Sequence, residues 1–382
     1  MAEAVNELIH GHGRELLAPC KQVREDRISA STGAYSQARQ RIPLLAMRRV
    51  AERAFNYLHE LGRKTNLRDR LFLLDGSSIR LAHSTEVRKV YPEAENQLGK
   101  SHWPVARVAV MHHLVTGLAM APQMGAMFGP AAVSEQGLAK ILIEKLPAAS
   151  VLIGDRNFGT FGVAWCARQR GHGVIVRMTE LRAKKLGGGK LEQDSDRQVL
   201  WKASRDDRRA HGSLPPQAEI AGRLIVAKGK ETKEMLYLFT TLEEPVEQML
   251  SLYGQRWLIE TDLRSLKEQV RLHTIAARSP ELAEGELMMA IAAYNLIRSV
   301  MAEAAREMEI EPRRLSFSRS RAAFRAFSAA VARVDSQEAF DRHWRLLMRA
   351  LSQSKLPKRI RPSAPRLIWP KLPSFPARKI DT

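Results

Sequence analysis

The segment from Pro245 to Leu272 constrains this chain most strongly, because a single helix there would carry two separate stripes of side chains. An α-helix turns about 100° per residue, which brings four polar side chains within roughly 60° of one another. They are Tyr253, Arg256, Glu260 and Lys267. An apolar stripe centred roughly 70° away holds Leu252, Ile259, Leu263, Leu266 and Val270. The narrow polar stripe predicts a helix that presents a carboxylate, two cations and a phenol to a cleft.

A plainer interpretation of the same segment is a solvated amphipathic helix. Glu260 would then pair with Arg256 or Arg264, which lie four residues away on either side. Such a pair stabilises an exposed helix by only about 0.2–0.5 kcal/mol. The segment taken alone leaves both interpretations open.

Two aspartates follow short apolar runs far upstream. Asp75 comes directly after Leu71 to Leu74, and Asp155 follows Val151 to Gly154. A carboxylate at the end of a buried strand is costly to ionise unless a cation compensates it. One such residue would be interpreted as a turn or a helix cap. Two of them, together with a glutamate facing a cleft, indicate a site for divalent cations, and ligands that are all oxygen favour Mg²⁺ or Mn²⁺ over zinc.

The charge balance predicts a polyanionic partner. The 382 residues include 61 Lys and Arg against 41 Asp and Glu, a formal net charge of +20. Nucleic acid is the partner expected for such an excess, although a purely packing protein could carry the same charge. Charge alone therefore does not predict catalysis.

Cysteine usage and hydropathy predict a cytoplasmic protein with no membrane partner. Cys20 and Cys166 are too far apart in sequence to build a disulfide framework or a Cys-x2-Cys zinc site. The N-terminal residues show no signal-peptide pattern. The longest apolar run, Leu287 to Tyr294, is far shorter than the ~20 residues of a membrane span.

The first half of the chain changes from helical to mixed character. Residues 1–68 are mainly helical and basic, and Pro43 to Gly62 has the apolar spacing of one helix. Strands are expected at Leu71 to Leu74, at 150–153 and at 174–178, and residues 105–114 and 118–121 are expected to form a hairpin. Helices are expected at 135–146 and 161–170.

The α/β pattern breaks between residues 180 and 245. Gly187 to Gly189 and Pro215-Pro216 bracket a charged stretch, and strands are expected at 224–227 and 235–240. A second long helix is expected at 282–308, and residues 314–352 continue as basic helices. The tail, residues 353–382, holds eight Lys and Arg and six Pro, a composition that does not fold alone.

Three motifs in this order resemble DDE transposases of insertion-sequence family 4. The spacing Tyr-x2-Arg-x3-Glu-x6-Lys is similar to that family's signature, whose Glu is the third metal-binding carboxylate. Asp75 with Gly76 and Arg80-Leu81 resembles the first aspartate motif, and Gly154 to Phe158 resembles the second. The resemblance spans roughly residues 30 to 300, including Gly33 to Arg41 near the N-terminus. It implies that Asp75, Asp155 and Glu260 are the catalytic residues.

The resemblance also implies a fold and a reaction. The expected fold class is α/β, with an RNase H-like core (residues 69–179 and 246–310) interrupted by a mostly β insertion (residues 180–245). The terminal regions, 1–68 and 311–382, are expected to be helical, and the first is expected to bind DNA. The implied activity is cut-and-paste transposition by phosphoryl transfer with two Mg²⁺ or Mn²⁺ ions about 4 Å apart. Asp75 would bridge the ions, and Asp155 and Glu260 would bind one each, so the three carboxylates must converge.

The implied partner is double-stranded DNA, both as the element's terminal inverted repeats and as the target. A homodimer on paired DNA ends is expected, in the bacterial cytoplasm and on the nucleoid when bound. Arg256 and Lys267 are expected to hold phosphates, and Tyr253 to hydrogen-bond one. Arg264 and Arg156 are the further DNA-binding candidates.

Two other functions stay open at this point. One is a metal-dependent nuclease of the same fold that cleaves without strand transfer. The other is a non-catalytic DNA-binding protein derived from a transposase, against which the intact carboxylates count. Trp201 in the insertion could stack on an unpaired base, but an ordinary core role is the stronger prediction for it.

Overall fold

A computed structural model describes residues 37–62, 66–96, 99–210, 214–228, 235–269 and 274–357. The helices are α1 (Leu44–Leu61), α2 (Thr85–Val90), α3 (Glu135–Ile143), α4 (Phe161–Gln169), α5 (Glu180–Leu186), α6 (Arg205–Ala210), α7 (Val246–Gly254), α8 (Leu258–Arg264), α9 (Pro280–Glu307), α10 (Phe317–Val331) and α11 (Gln337–Ser352). The strands are β1 (Leu71–Leu81), β2 (Glu95–Asn96), β3 (Gly99–Lys100), β4 (Val105–His113), β5 (Gln123–Ala126), β6 (Val151–Gly154), β7 (Gly173–Arg177), β8 (Ser195–Lys202), β9 (Glu219–Lys228), β10 (Met235–Thr240) and β11 (Thr274–Ile275).

One mixed sheet organises the described residues. Its strand order is β5-β4-β1-β6-β7-β10-β9-β8, with β11 beside β1. Strands β1, β6 and β7 are parallel, whereas β4 pairs antiparallel with β1. Strands β1, β4 and β5 are antiparallel neighbours, and the chain then reaches β6 and β7 through helices. This order is consistent with the expected RNase H-like arrangement.

The sheet is buried on both faces, because successive side chains of a strand point to opposite sides. On one face Phe72 and Leu74 of β1 pack in a cluster with residues of α3 and α4. On the other face Leu71 and Leu73 pack with Leu252, Tyr253 and Ile259 of residues 245–269, called the signature segment from here on. All four β1 side chains are fully buried, and each such burial contributes roughly 1.5–3 kcal/mol. The strand that ends in the first aspartate is therefore held firmly from both sides.

Helix α1 confirms the prediction from Pro43 to Gly62. It buries Met47, Ala51 and Phe55 at helical spacing, and Met47 packs so closely on α9 that a Cβ at Gly285 would lie 2.6 Å from its sulfur. Arg48 forms an ion pair with Glu284, also of α9. Residues 1–36, which include the first four residues of the Gly33–Arg41 segment, lie outside the described residues.

Helix α9 is the one described helix that is long and apolar enough to cross a membrane by length and composition. Of its most apolar stretch, 72% is buried inside the protein. Its Ser279 cap and the Pro at its start explain where it begins. Burial on this scale is what a central core helix shows.

The region 180–245 extends the core sheet. Strand β10 pairs antiparallel with β7, and β9 and β8 follow outward. The strands expected at 224–227 and 235–240 are confirmed within β9 and β10. Trp201 on β8 is 9% exposed, with its ring 4.8 Å from Phe239 and 5.7 Å from Phe161 between centroids. Trp201 is a core residue, as the plainer prediction has it.

Other boundaries differ from the sequence pattern. Strand β1 runs on to Leu81, seven residues past the apolar run, because Asp75 to Arg80 pair along β4. Residues 118–120 turn back on β4 as expected, through the His113 N–H to the Leu118 carbonyl oxygen, the Met120 N–H to the Met111 carbonyl oxygen and an Ala119–His112 bridge, but the regular strand that pairs with β4 is β5. The basic C-terminal region forms α10 and α11, and residues 358–382 of the tail lie outside the description.

The prediction of one continuous α-helix over Pro245 to Leu272 is wrong. Helix α7 ends at Gly254, a 3₁₀ turn covers Gln255–Trp257, α8 follows, and Ser265–Gln269 form a π-helical turn. Glycine favours a helix interior less than other residues, which accounts for a break at Gly254. A 3₁₀ turn has fewer residues per turn than an α-helix and a π turn has more. The constant 100° spacing of the predicted polar stripe is therefore not kept.

Candidate active site

The two strand-end aspartates are neighbours in the sheet. Strands β1 and β6 are parallel, and their last paired residues are Leu74 and Gly154. Asp75 and Asp155 each come one residue later, so they lie side by side on the same face. That face is the one on which the signature segment packs, since Leu73 and Ile153 share its cluster with Tyr253. The sequence prediction that these two carboxylates come together is consistent with this register.

The Asp75 carboxyl accepts a backbone hydrogen bond, while its burial opposes ionisation. Its Oδ1 accepts a hydrogen bond from the Gly76 N–H at 2.8 Å. Burial raises the pKa of Asp75 to about 6, and the charges of Asp155 and Glu135 act in the same direction. The Gly76 hydrogen bond and the charge of Arg256 oppose the rise. A carboxylate with this balance gains from a nearby cation.

Asp155 begins a tightly folded loop. Its Oδ1 accepts a hydrogen bond from the Asn157 N–H at 2.9 Å. Arg182 then donates to the carbonyl oxygens of Arg156 and Gly159, each at 3.2 Å. Gly159 has no room for a side chain, because a Cβ there would collide with the Arg177 carbonyl oxygen. The loop after the second aspartate is thus fixed by its own hydrogen bonds and by close packing on β7.

Arg256 lies at the centre of the site's charges. Its guanidinium interacts electrostatically with Asp75, Asp155, Tyr253 and Glu260. Burial raises the pKa of Tyr253, against the opposing charges of Arg256 and Arg177. The phenol, the two arginines and Asp155 therefore share one electrostatic environment, which the predicted polar stripe did not include in full.

Glu260 stands apart from the aspartate pair. Its side chain is 60% exposed, and Arg256 donates from Nη2 to its Oε1 at 3.2 Å. This is the i,i+4 pair that the plainer interpretation of the segment expects. Within the described part of the chain, no group of three or more His, Cys, Asp or Glu side chains is close enough to hold a metal ion. The expectation that all three carboxylates converge is therefore not met in this arrangement.

The aspartate pair by itself fits a divalent cation. Two carboxylates on adjacent strands offer only oxygen ligands, the chemistry that Mg²⁺ and Mn²⁺ prefer. The pKa of Asp75 is raised mainly by burial and further by the neighbouring charges of Asp155 and Glu135, so a bound cation would favour its ionised form. The two aspartate carboxylates are therefore suited to a hard cation, whereas the Glu260 carboxylate pairs with Arg256.

The remaining predicted DNA-binding residues differ in exposure. Arg156 is exposed on the loop directly after Asp155, and Arg264 is exposed at the end of α8. Lys267 is half-buried in the π-helical turn. Because the helix changes type between Glu260 and Lys267, the predicted alignment of these two side chains does not follow from their spacing.

Comparison with known proteins decides the family. Residues 66–296, more than half of the 382-residue chain, match a family model described as "Transposase DDE domain". This chain belongs to the DDE transposase family. It is 28% identical over 307 residues to the transposase InsG for insertion sequence element IS4 of Escherichia coli (strain K12), a match that covers 77% of this chain and 67% of the relative. The resemblance to insertion-sequence family 4 transposases is confirmed.

The transposase also contains a buried charge cluster behind α8. Asp262 is fully buried and accepts hydrogen bonds from Arg298 at 2.6 Å and from Arg313 at 2.8 and 2.9 Å. His112 lies 3.7 Å away. Burial lowers the pKa of His112 to about 4, so this ring is neutral at pH 7. Arg313 lies in the C-terminal region, beyond the family match that ends at residue 296, so this region helps to hold the helix that carries Glu260.

Sequence reasoning missed Glu135, Arg177 and Asp262. Ser134 caps α3 through the Gly137 N–H, so Glu135 is readily interpreted as an ordinary first-turn acidic residue. Arg177 carried a weak signal, because it ends an apolar strand just as the two aspartates follow theirs. Asp262 carried none, since a fully buried carboxylate cannot be distinguished from an exposed one without its partners.

Proposed function

We propose that this transposase cuts the ends of its element and joins them to target DNA by metal-dependent phosphoryl transfer. The observation that carries the proposal is the placement of Asp75 and Asp155 side by side on parallel strands, facing a segment with Arg256 and Glu260. A protein that only binds DNA has no need of two adjacent carboxylates beside Arg256, because carboxylates repel phosphates.

Asp75, Asp155 and Glu260 are the residues proposed to hold Mg²⁺ or Mn²⁺. Two divalent ions would activate the attacking hydroxyl and stabilise the leaving oxygen of an in-line displacement. The aspartate pair is already adjacent, which supports its part in the assignment. Glu260 requires a further step, since its carboxylate pairs with Arg256.

Arg256 is proposed to exchange the Glu260 carboxylate for a DNA phosphate. An exposed i,i+4 pair contributes only about 0.2–0.5 kcal/mol, so its opening is inexpensive. A phosphate offers Arg256 a charged partner with two oxygens. Glu260 is then free to turn toward the aspartates. This exchange reconciles the family assignment with the arrangement described.

DNA is proposed to lie along the exposed cations around the centre. Arg156 and Arg264 are exposed, and Lys267 and Tyr253 lie on either side of Arg256 in the chain. The net charge of +20 favours binding along a duplex. Because both ends of an element must be processed together, we propose a homodimer on paired inverted repeats, acting on the bacterial nucleoid in the cytoplasm.

The test combines the purified full-length protein with DNA that ends in the inverted repeats flanking its gene, a target plasmid and Mg²⁺ or Mn²⁺. Cleaved ends and joined products on a denaturing gel are the expected result. Asp75→Asn, Asp155→Asn and Glu260→Gln are expected to reduce both products roughly 10³-fold, since metal ligation contributes several kcal/mol to such reactions. Asp206→Asn on exposed α6 and Glu144→Gln after α3 are the matched controls.

The same assay separates the alternative functions. Cleavage of the repeats without joined products would identify a nuclease and refute strand transfer. Binding of the repeats without cleavage in either metal would identify a DNA-binding protein. Full activity of Glu260→Gln would refute the role given to Glu260 while leaving the aspartate pair in place.

A further inference from the structure

A fourth carboxylate lies beside the aspartate pair, on the opposite face of the sheet from Arg256. Glu135, the first residue of α3, rests directly on the backbone of Gly76. A Cβ built on Gly76 would lie 2.7 and 2.8 Å from the two Glu135 carboxylate oxygens. Gly76 is next to Asp75 and donates its N–H to that carboxylate. Glu135 therefore contacts the backbone unit that orients Asp75.

Glu135 is also bound to the loop of the second aspartate. Asn157 donates from Nδ2 to Glu135 Oε2 at 2.5 Å. The N–H of the same Asn157 donates to Asp155 Oδ1 at 2.9 Å. Gln136, the next residue of α3, donates to the Asn157 carbonyl oxygen at 2.8 Å. The start of α3 thus grips the Asp155 loop through both the side chain and the backbone of one asparagine.

These contacts form one continuous connection between the two aspartates. It runs from Asp75 through Gly76 to Glu135, and from Glu135 through Asn157 to Asp155. The strand pairing of β1 and β6 ends just before the two carboxylates, so the sheet does not fix their separation by itself. The contacts of Glu135 therefore constrain the separation of the two aspartates just beyond the last paired residues of β1 and β6.

We propose that Glu135 is a positioning residue that sets the spacing of Asp75 and Asp155 for a divalent cation. The proposal rests on the proposed function, since a cation at the aspartate pair is part of it. Removing a side chain that hydrogen-bonds to a metal ligand and orients it lowers metal affinity or activity about 10- to 100-fold. Gly76 is glycine for the same reason, because any side chain there would displace the Glu135 carboxylate.

The direct test is Mn²⁺ binding by the full-length protein, measured from the free-ion signal in electron paramagnetic resonance. Asp75→Asn defines the binding that belongs to the site. Glu135→Ala and Asn157→Ala are each expected to weaken that binding about 10-fold. The double variant is expected to lose no more than either single variant, because both changes break the same connection. Glu144→Ala, on an exposed residue that pairs with Arg170 just after α3, is the matched control.

A second set of measurements keeps the test from depending on folding. Glu135→Gln retains the side-chain shape, and its urea midpoint and its affinity for repeat DNA in EDTA are expected to match the wild type. Its Mn²⁺ affinity and its cleavage rate at saturating Mn²⁺ are expected to fall. Wild-type Mn²⁺ affinity in both Glu135→Ala and Glu135→Gln would overturn the proposal. Losses that multiply in the double variant would overturn it as well.

The two proposals fail in different ways. Weakened Mn²⁺ binding in Glu135→Ala, combined with no cleavage by the wild type, would support the positioning role and refute the proposed function. Cleavage and joining by the wild type, with Mn²⁺ binding untouched by Glu135→Ala, would refute the positioning role alone.

Discussion

Replacing Asp262 by Asn should destabilise this transposase more than any change at its exposed acidic residues. The carboxylate is 0% exposed and accepts three hydrogen bonds from two arginines, at 2.6, 2.8 and 2.9 Å. Those arginines are themselves 4% and 10% exposed. Asparagine keeps the shape but removes the negative charge, and its amide N–H groups face arginine donors. Two buried cations would then lack their counter-charge.

The magnitude follows from that geometry. Removing one partner of a buried ion pair costs about 3–5 kcal/mol, because the remaining charge is left uncompensated. Whole-domain stabilities are about 5–15 kcal/mol, so the loss is a large fraction of the total. For a chain of this size 1 kcal/mol corresponds to roughly 2 °C, which gives a melting temperature about 6–10 °C lower.

Urea unfolding followed by tryptophan fluorescence and far-ultraviolet circular dichroism measures this loss. Burial would raise the pKa of Asp262, but the charges of Arg313 and Arg298 outweigh it and hold that pKa below its usual range. The stabilisation by Asp262 is therefore present above the unfolded pKa, about 4, and is lost as the pH falls through the folded value. The difference between wild type and Asp262→Asn should shrink below about pH 4. Equal urea midpoints at pH 7, or a loss no greater than that of Asp206→Asn, would refute the reasoning.

Three further outcomes are expected. Asp75→Asn should stabilise the metal-free protein at pH 7.5 by about 1–3 kcal/mol in urea titrations, because burial raises the pKa of Asp75 to about 6. This gain should vanish below about pH 4, where the carboxyl is protonated in both the folded and the unfolded state. An unchanged urea midpoint at pH 7.5 would contradict the prediction. Gly159→Ala should cost about 1–3 kcal/mol by overpacking against the Arg177 carbonyl, seen as a lower melting temperature, and an unaltered melt would show that the loop relaxes. Trp201→Ala should cost about 3–5 kcal/mol in the core, whereas Trp257→Ala, at a 48% exposed position, should stay within about 0.5 kcal/mol; equal urea midpoints for the two would argue against the packing described.

Much of the fold can be predicted from local patterns. Apolar runs before Asp75 and Asp155 predict buried strands, and the Pro43 and Gly62 signals predict the ends of α1. Strand β8 escapes this kind of reasoning, because its first half is the polar run Ser195 to Gln198, which resembles a solvated stretch until β9 pairs with it. The continuation of β1 to Leu81 likewise depends on pairing with β4, which is a tertiary contact.

The site was predictable in its residue types more than in its arrangement. The spacing of Arg256 and Glu260 permits an ion pair, and it equally permits both to face a cleft. Which of these holds depends on the charges opposite, and the sequence does not display them. Glu135 shows the same limit, because its contact with Gly76 joins positions 59 residues apart.

Because β10 is hydrogen-bonded to β7, the region of residues 180–245 cannot be exchanged between transposases as a detachable module. Excising it would leave β7 with a bare row of backbone N–H and C=O groups, a surface that invites aggregation. Chimeric enzymes that graft a different insertion will therefore need to reproduce the β7–β10 register, or the disturbance will pass through one strand to β6 and reach the loop of Asp155.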